Sequence, residues 1–301
     1  MFENILIALD GSELSHRIIP FVRRLLLDEP ATLELVRVVS PEDLHDLTAA
    51  EARDLARGHL ARVAGVLADL GYRTRTTVLE GDPAQAILDW AVETRPSAIA
   101  CSSHGRSGVE RWIRGSVVER LLRASPFPLL VASAVGVGPC PWWGAEQGAR
   151  ELAFESAFKR ILVPLDGSEL ANAVLPAVAE IARRHESEVV LLHVARPGTS
   201  GKDAAAFEPA FAALEGVSAR LRFVQGKPAP AILDAAAREL FDLIALSTHG
   251  EGRSPWPFGA VAEAVLRCSS SPIFVQPAIA RGAKVAHREL AASRGHRGGG
   301  L

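Results

Sequence analysis

The sequence predicts an α/β protein built from two tandem, doubly wound parallel-sheet domains of Rossmann-like organisation, and three observations carry that prediction. The first is a repeat: Ile5-Leu-Ile-Ala-Leu-Asp-Gly-Ser-Glu-Leu14 returns as Ile161-Leu-Val-Pro-Leu-Asp-Gly-Ser-Glu-Leu170, with eight identities in ten at an offset of 156. The second is that the repeat continues in the same order. Gly81-Asp-Pro-Ala-Gln-Ala-Ile-Leu-Asp89 returns as Gly226-Lys-Pro-Ala-Pro-Ala-Ile-Leu-Asp234, and Ser103-His-Gly105 is echoed by Thr248-His-Gly250, both at an offset of 145. The third is that short apolar runs alternate with stretches of helical periodicity, the pattern of parallel strands covered by helices on both faces. Two copies of this length are a duplicated domain and not a solenoid, because each has enough elements to close its own core.

In the first copy, Ile5 to Leu9 reads as the opening strand. Ile18, Val22, Leu25 and Leu26 then follow the spacing of a helix with one apolar face, and Val174, Val178, Ile181 and Ala182 repeat it. Leu33 to Val39 is the second strand, Leu44 to Leu70 a long helix and Thr74 to Leu79 the third strand. Pro83 to Thr94 reads as a helix with Pro83 at its first position, as Pro228 is in the second copy. Ala98 to Ser102, Ser116 to Ala124 and Pro128 to Ala132 complete the unit as strand, helix and strand. The offset shrinks by 11 residues, from 156 to 145, so the second copy lacks a short helix's worth of chain between its second and third strands.

These readings divide the chain into a first domain at 1–135, a linker at 136–157, a second domain at 158–279 and a tail at 280–301. The linker is rich in Gly and Pro, carries Cys140, Trp142 and Trp143, and is expected to hold a short helix around Glu146 to Phe154. The tail is basic, Gly-rich and without apolar periodicity, and disorder is the expectation there.

Composition excludes several classes. With 33 Lys plus Arg against 35 Asp plus Glu, the net charge of -2 supplies no basic field for nucleic acid. Cys101, Cys140 and Cys268 are odd in number and far apart, which suits neither a disulfide framework nor a metal pair and fits the reducing cytoplasm. No basic leader opens the chain and no apolar run approaches the ~18–20 residues of a membrane span, so neither secretion nor a membrane partner is expected.

In an open parallel sheet, ligands bind beyond the carboxyl ends of the strands. Asp10-Gly11-Ser12 and Asp166-Gly167-Ser168 follow the first strands, while His104-Gly105-Arg106-Ser107-Gly108 and His249-Gly250-Glu251-Gly252 follow the fourth. Each of the latter leads on to a glycine at a helix start, Gly115-Ser116 or Gly259-Ala260. A Gly-rich loop entering a helix offers open backbone N–H groups and the positive end of the helix dipole, which suits a phosphate. The aspartate could accept hydrogen bonds from ribose hydroxyls or an adenine amino group; a turn with a helix N-cap explains Asp-Gly-Ser equally well. His104 and His249 are expected to orient their loops, with no second His or Cys at metal-ligand spacing.

These signatures resemble those of the universal stress protein family, whose nucleotide-binding members carry Gly, two residues, Gly, nine residues, Gly, then Ser or Thr. Copy one reads Ser102-Ser-His-Gly105, nine residues, Gly115-Ser116, and departs only at Ser102, where a serine would be strained if the backbone needed positive φ. Copy two reads Ser247-Thr-His-Gly250, eight residues, Gly259-Ala260, and departs at the first glycine, the spacing and the final hydroxyl. The resemblance implies tandem adenine nucleotide alpha hydrolase-like folds, with ATP and usually Mg2+ in the members that bind. It would put Asp10 and the backbone of Val38 near the nucleoside, and Gly105, Arg106, Gly108, Gly115 and Ser116 at the phosphates. The weaker second site would use Asp166, Val194, Gly250, Gly252 and Gly259. It also implies that the last strands, Phe127 to Ser133 and Ile273 to Gln276, cover each other in an intramolecular pseudo-dimer, with a further homodimer left open.

The two sites are expected to be unequal. Copy one surrounds its loop with Arg106, Arg111 and Arg114; copy two has Glu251, Pro255 and Pro257 in its loop. The expectation is a cytoplasmic stress-response or signalling protein that binds ATP mainly through its first domain, with at most slow hydrolysis. A family member that binds no nucleotide and serves as a protein–protein module is the alternative. An ATP-consuming enzyme is disfavoured, since neither a P-loop nor a nucleophile elbow is present.

Overall fold

The computed structural model of the chain describes residues 2–27, 29, 31–45, 47–103, 117–132, 157–195, 203–250 and 259–278. The interior of the 136–157 linker and the tail from 280 onward lie outside them. In the first half, β1 (Asn4–Ala8) leads through α1 (Glu13–His16) and α2 (Ile18–Leu26) to β2 (Thr32–Val39). Then follow α3 (Ala49–Asp69), β3 (Arg73–Glu80), α4 (Pro83–Thr94), β4 (Ala98–Ser102), α5 (Val117–Ala124) and β5 (Leu129–Ala132). The second half repeats the order as β6 (Arg160–Pro164), α6 (Leu175–His185), β7 (Glu188–Ala195), α7 (Glu208–Ala213) and β8 (Ser218–Gln225). It closes with α8 (Pro228–Arg238), β9 (Leu243–Ser247), α9 (Ala260–Cys268) and β10 (Ile273–Gln276).

Two boundaries differ from the sequence reading for local reasons. The 44–70 helix starts only at Ala49, because Thr48 caps it: the Thr48 side chain accepts from Glu51 N–H, and Glu51 reaches back to Thr48 N–H at 2.8 Å. A separate 3-10 turn at Pro41–Leu44 precedes it. The first amphipathic helix is likewise divided at Arg17, between α1 and α2. The shortened connection in the second copy is visible as α7, of 6 residues where α3 has 21.

The described strands form one sheet in the order β3-β2-β1-β4-β5-β10-β9-β6-β7-β8. Every neighbouring pair is parallel except β5 with β10, which pair antiparallel through Val131 with Ile273, Leu130 with Phe274 and Leu129 with Val275. Side chains alternate across the sheet. Ile5, Ile7, Ala98, Ala100 and Phe274 face a core shared with α2, α3, α6 and α7. Leu6, Ile99, Cys101, Ile273 and Val275 face the opposite core, with α4, α5, α8 and α9. Residues of both halves belong to each core. One polar intrusion separates the copies: Glu34 on β2 is buried and accepts from Thr77 Oγ1 (2.8 Å) and Trp90 Nε1 (3.2 Å), where β7 has the apolar Val190.

The junction between halves is also polar at its centre. Arg24 of α2 donates to the Ala157 carbonyl (3.0 and 2.6 Å) and to Asp242 Oδ1 (2.6 Å), and lies 4.6 Å from the centre of the Phe158 ring. Buried His185 on α6 accepts from Phe158 N–H at Nδ1 (2.9 Å), which places its proton on Nε2, facing the Leu25 carbonyl at 3.3 Å. Burial, together with the cations Arg184, Arg24 and Lys159, pushes the imidazole down from 6.5 to about 4 against the opposing pull of the Leu25 bond. A proton on Nδ1 would remove the acceptor of Phe158 N–H.

A histidine depressed on folding stabilises the folded state fully above its ordinary value of 6.5 and loses that contribution as pH falls towards 4. Buried His16 and His59 shift in the same direction. Stability against thermal unfolding is therefore expected to fall between pH 7 and pH 5, by on the order of 1–2 kcal/mol for His185. The slope against pH should be shallower in His185→Gln than in the unaltered chain; equal slopes would remove His185 from the account.

Candidate functional site

The order β2-β1-β4 marks a topological switch point in the first half, and β7-β6-β9 marks its counterpart. In such sheets the crevice beyond the carboxyl ends of the two central strands takes ligands. At both crevices the same turn follows the first strand. Gly11 and Gly167 adopt φ of +87° and +75°, a left-handed conformation open to glycine at little cost. Asp10 Oδ1 accepts from Ser12 N–H (2.8 Å) and Ser12 Oγ–H (2.6 Å), and Ser12 Oγ accepts from Ser15 N–H (3.2 Å) as the N-cap of α1. Asp166 Oδ1 accepts from Ser168 N–H (3.0 Å), and Ser168 Oγ from Ala171 N–H (3.1 Å). The turn reading of Asp-Gly-Ser is therefore realised in both copies and the helix N-cap only in the first, since the 3-10 helix Ala171–Val174 is capped at Leu170; the turn fixes where each carboxylate stands.

Beyond the turn, each crevice shows one close approach among the described residues. In the second, a Cβ placed on Gly250 would fall 2.1 Å from Asp166 Oδ2 and 2.9 Å from its Cγ, so the Asp166 carboxylate lies directly on the Gly250 backbone. The ends of β6 and β9 are thereby bridged by the chain's own side chain. Gly259 follows the loop and precedes α9, its N–H donating to the Thr248 carbonyl at 2.8 Å. His249 Nδ1 lies 3.0 Å from Thr248 Oγ1, which itself accepts from Ala278 N–H at 2.9 Å.

In the first crevice, the Arg37 guanidinium occupies the space above Gly11: a Cβ there would fall 2.8 Å from both Cζ and Nη1. Arg37 sits on β2 beside Val38, and its counterpart on β7 is His193, beside Val194. Val38 and Val194 pack their side chains against the α4/α5/α8/α9 core. His193 Nδ1–H donates to the Leu165 carbonyl (3.0 Å), and its ring packs against Phe207 and Phe223. Ser102 ends β4 as ordinary extended strand, in register with Ala132, and is not among the described non-glycine residues at positive φ, so no strain attends it. Its Oγ–H donates to the Ser15 carbonyl at 3.3 Å, tying α1 to β4.

Behind Asp10 lies a buried histidine pair. The Nε2 atoms of His16 and His59 are 2.7 Å apart, with rings stacked at 22°. That distance is a hydrogen bond, so one ring carries its proton on Nε2 and the other accepts there. Burial is the largest cause that lowers both to about 4; Arg62 reinforces it at both rings, His16 and Arg37 at His59, and Asp10 opposes it. Cys101, buried on β4, is pushed up to about 12 by burial and stays a thiol. Among the described residues no group of three or more His, Cys, Asp or Glu side chains is placed to hold a metal ion.

Of the residues singled out in the sequence, the structure places Asp10, Val38, Asp166, Val194, Gly250 and Gly259 at the strand ends. Gly105, Arg106, Gly108, Gly115, Ser116 and Gly252 lie outside the described residues. Sequence reasoning missed Arg37, whose signal was a cation near the end of a mostly apolar strand. It also missed the His16–His59 pair, whose members are 43 residues apart on separate helices.

The universal stress protein family profile matches residues 1–133 and 157–277. The chain is 27% identical over 139 residues to a universal stress protein of Methanocaldococcus jannaschii, covering 44% of this chain and 82% of that one. It is also 27% identical over 146 residues to the universal stress protein YxiE of Bacillus subtilis, covering 44% of this chain and 99% of that protein. Among solved structures, a universal stress protein from Archaeoglobus fulgidus superposes with a TM-score of 0.71 at 23% identity, covering 91% of this chain and 96% of the other. A structure from Pseudomonas aeruginosa gives 0.66 at 18% identity, covering 97% and 98%. These last two likenesses speak for the fold.

The two glycine contacts differ in kind and can be separated by unfolding measurements. Gly250→Ala is expected to cost about 1–3 kcal/mol by displacing the Asp166 carboxylate, and much less in an Asp166→Ala background. Gly11→Ala should keep a cost of about 1 kcal/mol or more even with Arg37→Ala, because the left-handed backbone remains. Equal behaviour of the two pairs would contradict these contacts.

Proposed function

Because the chain belongs to the universal stress protein family through both of its halves, we propose that it is a cytoplasmic stress-response or signalling protein that takes up ATP, mainly through its first domain. The observation that carries this reading is the Arg37 guanidinium set above Gly11 at the first switch-point crevice. The second is bridged by Asp166 lying on Gly250, which sets a carboxylate where an incoming phosphate would meet like charge. At the first, a guanidinium lies above Gly11, which favours an anion. The loop sequences run the same way, with three arginines around the first loop and Glu251 in the second.

In this reading Asp10, held by its turn, and the backbone of Val38 take the nucleoside, and the loop from Gly105 through Gly108 to Gly115 and Ser116 takes the phosphates. Mg2+ comes with the phosphates and keeps most of its own waters, as it commonly does where no protein cage is built for it. The chain's output is a change of conformation or partner, with at most slow ATP hydrolysis. The β5–β10 pairing supports an intramolecular pseudo-dimer, in which one chain does the work of two single-domain chains. No described helix is long and apolar enough to cross a membrane.

A specific observation also favours a second role for the second domain. With its crevice bridged from within, that half serves as an interaction module beside the nucleotide-binding half. Calorimetric titration with ATP is expected to give one site per chain, lost in Gly115→Asp and retained in Gly259→Asp, each variant first shown to be folded by thermal unfolding. Two equal sites, or a site that survives Gly115→Asp, would contradict the assignment.

A further inference from the structure

Resting on the nucleotide reading of the first crevice, we propose that Arg37 is a specificity-determining residue that grips a second phosphate on the ribose edge of the ligand. The preferred ligands are then adenosine 5′-phosphates that also carry a 2′- or 3′-phosphate.

The argument starts from how the arginine is seated. Leu33, Leu35 and Arg37 lie on one face of β2, and the guanidinium reaches from there across the end of β1 to cover Gly11. Two features of Gly11 make that seat. Its φ of +87° disfavours any side chain, and the missing Cβ leaves the space in which Arg37 Cζ and Nη1 lie. The arginine is half-buried and set against backbone one residue from Asp10, at the strand ends where the nucleoside is assigned.

The surrounding charge favours an anion at this place. Arg37 and Arg62 both act on His59, and Asp10 is the carboxylate that opposes them. His16 and His59 are neutral at pH 7 and add nothing to either side. Glu34, the one acid of β2, lies on the opposite face, held by Thr77 and Trp90. In doubly wound nucleotide-binding folds the ribose edge is read near the end of the second strand, where an acidic side chain takes a free 2′-hydroxyl and an arginine a 2′-phosphate. A planar guanidinium grips phosphate through two parallel hydrogen bonds, which an ammonium does not reproduce. At the matched position of the second half, His193 turns onto the Leu165 carbonyl.

The test compares the full chain's affinity for AMP, adenosine 2′,5′-bisphosphate and adenosine 3′,5′-bisphosphate by calorimetry at one fixed salt concentration. One bisphosphate or both should bind at least about tenfold more tightly than AMP. That ratio should fall towards one in R37A and in R37H, which carries the residue of the second half, and R37K should keep only part of it. Circular dichroism melting shows which variants are folded, and R37H or R37K carries the test if R37A is not. A ratio near one in the unaltered chain, or a ratio that survives R37A and R37H, would overturn the assignment while AMP and ATP binding keeps the nucleotide reading intact. Failure to bind any of the nucleotides, ATP included, would overturn both.

Discussion

The antiparallel pairing of β5 with β10 is the constraint on which the rest of the molecule depends. Each half on its own would end in a short apolar edge strand, Leu129–Ala132 or Ile273–Gln276, and such edges invite uncontrolled pairing. Here each edge covers the other, and two five-stranded units become one sheet of ten strands. The sharing extends into the cores, where Phe2 of the first strand region packs edge-on against Phe274 of β10. It also buries a junction that could not exist in a single copy. Arg24, Phe158, His185 and Asp242 make sense only when α2 and α6 lie side by side. Because the sheet is continuous, the positions of both switch-point crevices follow from one framework.

Duplication supplied two copies of the same strand-end turn, and divergence then acted on what faces it. Asp10 and Asp166 brace their turns through the same oxygen and the same serine N–H. The neighbours differ. Residue 37 is an arginine lying on Gly11 and residue 193 a histidine folded onto Leu165; Glu34 is replaced by Val190; α3 brings His59 against His16, while the short α7 brings Phe207 against His193. A carboxylate lies on Gly250 at the second crevice, and a guanidinium lies on Gly11 at the first. The physical distinction between the copies is therefore one of charge and occupancy at matched positions, within a common backbone.

Much of this was legible in the residues. The tandem α/β architecture followed from an exact order of repeats, and the inner strands from apolar runs that the sheet buries on both faces; β3 and β8, at the two edges, are polar and partly exposed. The deletion in the second copy followed from the shrinking offset alone. The strand-end location of Asp10, Asp166, Gly250 and Gly259 followed from the same alternation, because loops after parallel strands share one edge of the sheet. What was not legible depends on packing between distant elements. The contact between Asp166 and Gly250 joins residues 84 positions apart, and nothing in either motif announces it. The start of α3 at Ala49 was set by the Thr48–Glu51 capping box, which apolar periodicity does not register. A strain expected at Ser102 dissolved because the residue belongs to β4 itself, in extended backbone that any residue adopts.

The central proposal is that the two matched crevices take nucleotide unequally, the Asp10 side binding it and the Asp166 side not. A crystal structure of the full chain grown with ATP and Mg2+ tests it most directly. The account predicts nucleotide density at the Asp10 crevice alone, with Asp166 still lying against Gly250. Nucleotide in both crevices, with Asp166 swung away from Gly250, would contradict it.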